Sequence, residues 1–184
     1  MPRSTLYLIA ILAGVILVMG GFYWALTRPP QQPSQPQPKP IPASALQHLQ
    51  VFLHRKPCIG DCPVYAVLAK GSGGIEYAGG KNVAVTGTRT APVTVGQLTA
   101  LYRVVQQAKF FSVKDVYHNG PGGTGCETIE PGKPGVVIGV TRDARTKVIH
   151  YDYGCQGAPA ALQRLAAKID QILDTARWTQ ASSD

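Results

Sequence analysis

Cysteine is scarce in this chain: four residues in 184, at Cys58, Cys62, Cys126 and Cys155. No two stand in Cys-x-x-Cys spacing at a helix start, the position that gives a thioredoxin-like centre its acidic thiol. Cys-x-x-Cys-His is missing too, which excludes covalent haem attachment. Structural zinc usually brings cysteine pairs at both ends of its loop, and Cys126 and Cys155 each stand alone. The glycine-rich run Gly120-Pro121-Gly122-Gly123-Thr124-Gly125 lacks the Gly-Lys-Ser/Thr ending and the following helix of a phosphate cradle. Acidic residues are few, 10 against 18 Lys and Arg. The basic residues are dispersed, however, and not in register with aromatics, so they trace no nucleic-acid surface. No serine or cysteine near a histidine has the surroundings of an activated nucleophile. Internal repeats are absent.

Charge is missing altogether from Leu6 to Leu26. Such a run spans about 31 Å as a helix at roughly 1.5 Å per residue, against a bilayer core of ~30 Å. Tyr23 and Trp24 suit the membrane–water interface at its far end. Residues 1–27 therefore read as a single transmembrane anchor. The alternative is a cleaved signal sequence with a core from Leu6 to Val18 and a cut after Val18-Met19-Gly20. The apolar run continues past that cut through Phe22, which favours the anchor. No cysteine follows closely, so a lipoprotein is not indicated. Residues 28–45 are rich in proline and glutamine, a composition that favours extended polyproline II and makes no core. They read as a spacer. Residues 181–184 read as a disordered tail.

Residues 46–180 are long enough for one domain with a hydrophobic core. They hold 15 Lys/Arg and 9 Asp/Glu, a balance of +6 that reads as a solvated basic exterior. Leu49, Val51 and Leu53 alternate with Gln50, Phe52 and His54, as in a half-buried strand. Pro63 to Lys70 is a second strand, ended by the turn Gly71-Ser72-Gly73-Gly74. Ile75 to Ala78 pairs back, and Val83 and Val85 mark a fourth strand. Thr94-Val95-Gly96-Gln97 is a capping box opening a helix with Leu98, Leu101, Tyr102, Val105 and Ala108 on one side. Phe110 and Phe111 follow as core plugs. Residues 118 to 134 are irregular. Val136, Ile138 and Val140 share a strand face, and Lys147 to Tyr153 returns antiparallel after a turn at Arg142 to Thr146. Leu162, Leu165, Ala166, Ile169, Ile172 and Leu173 form the apolar stripe of a last helix with Pro159 in its first turn. Trp178 then packs back on the domain. The expectation is an α+β fold: a mainly antiparallel sheet of about six strands, in the order ββββ-α-ββ-α, with two helices on one face.

Four cysteines allow three disulfide pairings. The favoured one joins Cys58 to Cys62 across Gly60 and Cys126 to Cys155 across the long loop; the two crossed pairings stay open. His54 and His150 fall on strands, as solvated or hydrogen-bonded histidines. Tyr117, His118 and Glu127 are the candidate functional loop; His118 beside Tyr117 and Asp115 is the nearest thing to an acid–base cluster in the chain. No residue is assigned a catalytic, cofactor-binding or metal-ligating role, and no cofactor is expected.

Cys58-x-Gly60-x-Cys62-Pro63-x-Tyr65 is the most specific motif. Tyr77-x-Gly79, Val85-x-Gly87, Phe110-Phe111 with Tyr117, Ala158-Pro159-x-x-Leu162 to Ile169-Asp170, and Arg177-Trp178 follow it. Together, from Leu49 to Trp178, they resemble the domain-of-unknown-function 6438 family. The resemblance implies a bacterial, usually exported or membrane-tethered domain, and it brings no catalytic residues. Near Cys126 the family pattern often carries an aspartate followed by a small residue or proline, where this chain has Gly125-Cys126-Glu127.

The expected location is the bacterial inner membrane, single-pass, with the C-terminal domain in the periplasm, where disulfides persist. The expected function is a non-enzymatic, membrane-tethered binding or interaction domain. Its partners would be the membrane and an envelope protein or cell-wall component, with no nucleic acid. The alternative is a thiol–disulfide redox enzyme using Cys58 and Cys62.

Overall fold

A computed structural model describes residues 40–118 and 125–180. The expected anchor at residues 1–27, most of the spacer and the tail at 181–184 lie outside the described residues. Among the described residues no helix is long and apolar enough to cross a membrane.

A short helix, α1 (Ala43–Gln47), leads into β1 (Gln50–Arg55), β2 (Tyr65–Lys70), β3 (Gly74–Gly79) and β4 (Gly87–Pro92). Helix α2 (Val95–Gln107) and a 3-10 turn (Phe110–Ser112) precede β5 (Val116–Tyr117), β6 (Gly135–Arg142) and β7 (Arg145–Asp152). Helices α3 (Ala160–Leu173) and α4 (Ala176–Thr179) close the chain. The strands make one sheet in the order β4-β3-β2-β1-β6-β7-β5. Every pairing is antiparallel except β5 with β7.

The alternation of side chains along a strand decides which face is covered. Val51, Leu53, Val67, Ala69, Ile75, Tyr77, Ile138, Val140 and Ile149 are buried in one cluster with Leu98, Leu101 and Val105 of α2 and the Leu162–Leu173 stripe of α3. Both long helices therefore lie on the same side. On the other side Phe52, Ala66, Leu68, Ala78, Thr88 and Thr90 line an open groove of about 390 Å³. His54 and His150 share that uncovered phase.

The capping box forms: Thr94 Oγ1 accepts from the Gln97 amide at 3.1 Å, and Gln97 Oε1 accepts from the Thr94 amide at 2.9 Å. Gln97 Nε2 also donates to the Ile172 carbonyl at 2.8 Å, tying the start of α2 to the end of α3. Phe110 is buried beneath the sheet and Phe111 packs edge-on to it at 5.7 Å. Trp178 is buried and stacks on Tyr77 with ring centroids 4.7 Å apart.

Four expectations are corrected. The fourth strand is Gly87–Pro92, not the segment of Val83 and Val85. Val85 donates its amide to the Trp178 carbonyl and accepts from the Tyr77 hydroxyl, so this segment straps the core without joining the ladder. The exposed, Thr-rich β4 takes the edge, where no apolar alternation is demanded. The sheet has seven strands and is mixed, because two-residue β5 joins β7 in parallel. The second strand begins at Tyr65, since the Val64 amide bonds the Lys81 carbonyl outside the ladder. Pro159 is the N-cap of α3 and lies just before its first turn.

Two disulfides form, Cys58–Cys62 and Cys126–Cys155. Gly60 sits at φ +122 between the first pair, a backbone region open to glycine. On the loop-entropy model Cys126–Cys155 contributes roughly 3.6 kcal/mol and the shorter Cys58–Cys62 loop roughly 2 kcal/mol. The Cys126→Ser/Cys155→Ser variant should therefore lose more stability in urea denaturation than Cys58→Ser/Cys62→Ser. Equal losses, or the reverse order, would contradict this.

Candidate functional site

Two inward-facing strand positions, and a third just past a strand, are polar at one end of the sheet. Val51, Leu53 and Arg55 share a phase of β1; Tyr65 opens the inward phase of β2; Tyr153 continues that of Ile149 and Tyr151 just beyond β7. Asp170 reaches them from the last turn of α3. Its Oδ2 accepts from Arg55 Nη2 at 2.5 Å and Arg55 Nε at 3.1 Å. Its Oδ1 accepts from the Tyr65 hydroxyl at 2.7 Å and the Thr175 hydroxyl at 3.1 Å. Arg55 Nη1 donates to the Tyr153 hydroxyl. The two charged side chains are only 17% and 19% exposed, so their pairing is weakly screened.

The electrostatics follow the geometry. Burial opposes the Arg55 charge, but Asp170, Tyr153 and Tyr65 outweigh it and drive its pKa up. Burial, then the Asp170 charge and its hydrogen bond, push the Tyr65 phenol well above the ordinary value. Burial raises Tyr153 as well, against the pull of Arg55. Both phenols thus stay protonated at neutral pH and act as hydrogen-bond partners of the ion pair.

This network forms a wall of a cleft of about 490 Å³, which Lys56, Cys62, Pro63, Gln171, Asp174 and Thr179 also line. The Cys58–Cys62 loop is pinned beside it. Asn82 Nδ2 donates to the Cys62 carbonyl at 3.2 Å, and the Ile59 amide donates to the Gly132 carbonyl at 3.0 Å. Cys62, Pro63 and Tyr65 of the sequence motif therefore line one cleft together with Asp170 of the closing motif.

The candidate loop is arranged differently. Tyr117 is a core residue whose hydroxyl accepts from the Lys114 amide at 3.1 Å and whose ring meets Tyr151 edge-on at 6.3 Å. His118 lies just past β5 and meets the His150 ring at 6.2 Å. Glu127 is exposed and its side chain lies against Gly157. No hydrogen bond or ion pair among the described residues joins Tyr117 to Glu127. Burial and Lys56 lower the pKa of His54; burial, Lys56 and His118 lower that of His150. Among the described residues no group of three or more His, Cys, Asp or Glu could hold a metal ion.

Sequence reasoning missed Arg55, Tyr153, Asp170 and Thr175 as a unit. The available signal was phase: a charged residue at the third inward position of β1, and an aspartate beside Ile169 on an apolar stripe.

The fold and cleft define a class: a small α+β domain of one sheet, helices on one side, closed by two disulfides. Residues 49–173 match the family described as Domain of unknown function (DUF6438), and the chain belongs to that family. No curated protein matches it.

Removing one member of the ion pair should cost about 3 kcal/mol, because the other charge is left half-buried and unpaired. Arg55→Met or Asp170→Leu alone should show that loss by chemical denaturation, and the double variant should recover most of it. Additive losses would sink the idea. The raised phenol pKa values set the alkaline limit. Stability from Tyr65 and Tyr153 is complete below the unfolded tyrosine value near 10.0 and is lost as pH rises beyond it. Denaturation midpoints measured from pH 8 upward should therefore fall above pH ~10, less steeply in Tyr65→Phe/Tyr153→Phe.

Proposed function

We propose that the chain is a non-enzymatic, membrane-tethered binding domain of the bacterial periplasm, held by residues 1–27 and spaced off the membrane by residues 28–45. The observation that carries this reading is the ligand-sized cleft with preset walls. At about 490 Å³ it falls in the range of small-molecule and peptide sites. Its central carboxylate already has four donors from within the protein, so it scaffolds the cleft and is not poised as a general base. Two disulfides suit an oxidising compartment. The uncharged run from Leu6 to Leu26 and the proline-rich spacer suit a tether.

The thiol–disulfide alternative has one observation in its favour, that Cys62 lines the cleft. Against it, Cys62 runs into Pro63 and strand β2, not into a helix whose N-terminus would stabilise a thiolate.

A photo-crosslinking residue at Gln171 in the full chain should capture an envelope component in intact cells, whereas one at Val148 on the uncovered face should not. Cys58→Ser/Cys62→Ser should keep the Gln171 adduct if binding and not thiol exchange is the activity. Adducts only from Val148, or none from either position, would overturn the cleft reading. An adduct at Gln171 that vanishes with the cysteines would favour the redox alternative.

A further inference from the structure

We infer that the outer side of the helical layer docks on the anionic leaflet of the membrane that holds the anchor, with Phe111 and its two arginines seated among the lipid phosphates. The inference goes beyond the cleft and rests only on the tether of the reading above. Basic residues are dispersed along the chain, but the fold gathers six of them on one side. Residues 77–114 contain no Asp or Glu, so α2 and the 3-10 turn after it carry Arg103 and Lys109 with no balancing charge of their own. Helix α3 adds Arg164 and Lys168, ahead of Asp170 at the cleft end. The two helices meet along a groove of about 200 Å³, with Gln107 and Ala108 on one wall and Arg164 and Lys168 on the other. Arg103 stands one turn before Gln107, and Lys109 directly follows Ala108, so these four exposed cations share a side.

The β6–β7 hairpin supplies the other two. Arg142 and Arg145 stand directly opposite each other, a like-charge pairing that a ladder disfavours. Both are held over one ring: their guanidinium carbons lie 5.0 and 5.1 Å from the centroid of Phe111, two residues beyond Lys109. Arg142 also lies 5.2 Å from the Tyr102 ring of α2. Asp143 in the hairpin turn offsets Arg142 at 3.3 Å. Arg103, Lys109, Arg145 and Arg164 make no ion pair or hydrogen bond among the described residues. Six cations against one acid repel one another, and four of the six gain no polar partner in exchange.

The chemistry of the partner follows from the spread. The cations lie across two helices and a hairpin, not around one pocket, so a plane of many phosphates fits them better than a single anion. Each Lys or Arg near an anionic leaflet strengthens binding roughly fivefold. An aromatic ring between guanidiniums suits the depth where phosphates give way to acyl chains. A short proline-rich tether keeps that surface within reach. Docking by the helical side leaves the open groove of the sheet facing away from the lipid.

The test places a photo-crosslinking residue at Ser112, exposed beside Phe111, in the full chain reconstituted in lipid nanodiscs. Discs containing phosphatidylglycerol should give lipid adducts at low salt. Molar salt, which shortens screening to about 3 Å, or discs of phosphatidylcholine alone should remove most of them. At limiting phosphatidylglycerol, Arg103→Gln/Arg164→Gln should lower the yield by about an order of magnitude, the loss of two such charges. Its melting temperature should not drop, because neither side chain has an internal partner to lose. Equal yields from both kinds of disc, an unchanged yield in that variant, or lipid adducts from Val148 at the level of Ser112 would overturn the inference. A Ser112 adduct to a cell-wall polymer in place of lipid in intact cells would do the same. Alkaline washing of native membranes separates the two readings. Extraction of the chain removes the tether and the docking together, whereas a chain that resists extraction but gives no lipid adduct loses the docking alone.

Discussion

The carboxylate of Asp170 gathers the end of the domain that bears the cleft. It sits in the last turn of α3, where the helix dipole repels it, and is retained by four donors from β1, β2 and the turn after the helix. Arg55 extends the hold to Tyr153 beyond β7. Three strand ends and the start of α4 are thereby set relative to one helix terminus. Trp178 follows three residues after Thr175, and its stack on Tyr77 continues the same closure across β3. Without the Asp170 carboxylate the turn between α3 and α4 would lose the Thr175 hydroxyl bond and keep backbone bonds, among them the Thr175 amide to the Asp170 carbonyl at 3.1 Å.

The disulfides act on what that network does not reach. Cys58–Cys62 closes the loop between β1 and β2, and Cys126–Cys155 ties the long β5–β6 connection to the chain leaving β7. The second bond is reinforced by a bridge between Ile129 and Cys155, by the Glu127 amide donating to the Gln156 carbonyl and by the Gln156 amide donating to the Thr128 carbonyl. These are loops whose sequences are too rich in Gly and Pro to bury apolar surface of their own, so covalent closure substitutes for packing.

Much of this was legible in the chain because its causes are local. The alternation at Val51 and Leu53, the capping box at Thr94 and Gln97, and the stripe on α3 each act within a few residues. The cysteine pairing was legible because one pair is short and leaves the other a single choice. What failed was context. Val83 and Val85 are apolar because they pack on the core around Tyr77 and Trp178, and packing does not require a ladder. Gly87–Pro92 has no apolar face because an edge strand can be held by its backbone alone. Strand β5 is two residues long, below any periodicity. The Arg55–Asp170 pair spans 115 positions, so no window of sequence contains it. Tyr117 and His118 looked like neighbours in an acid–base loop, but the Tyr117 ring closes β5 in the core, whereas His118, just past the strand, meets His150.

Asp170 and Asp174 show how two equal charges on one helix end come to mean different things. Both oppose the helix dipole, and both line the same cleft. The first is neutralised by Arg55, so its charge shapes the wall but offers little to a ligand. The second keeps its field. A carboxylate already held by four donors fixes the shape of the cleft whatever occupies it, and the scaffold beneath stays satisfied.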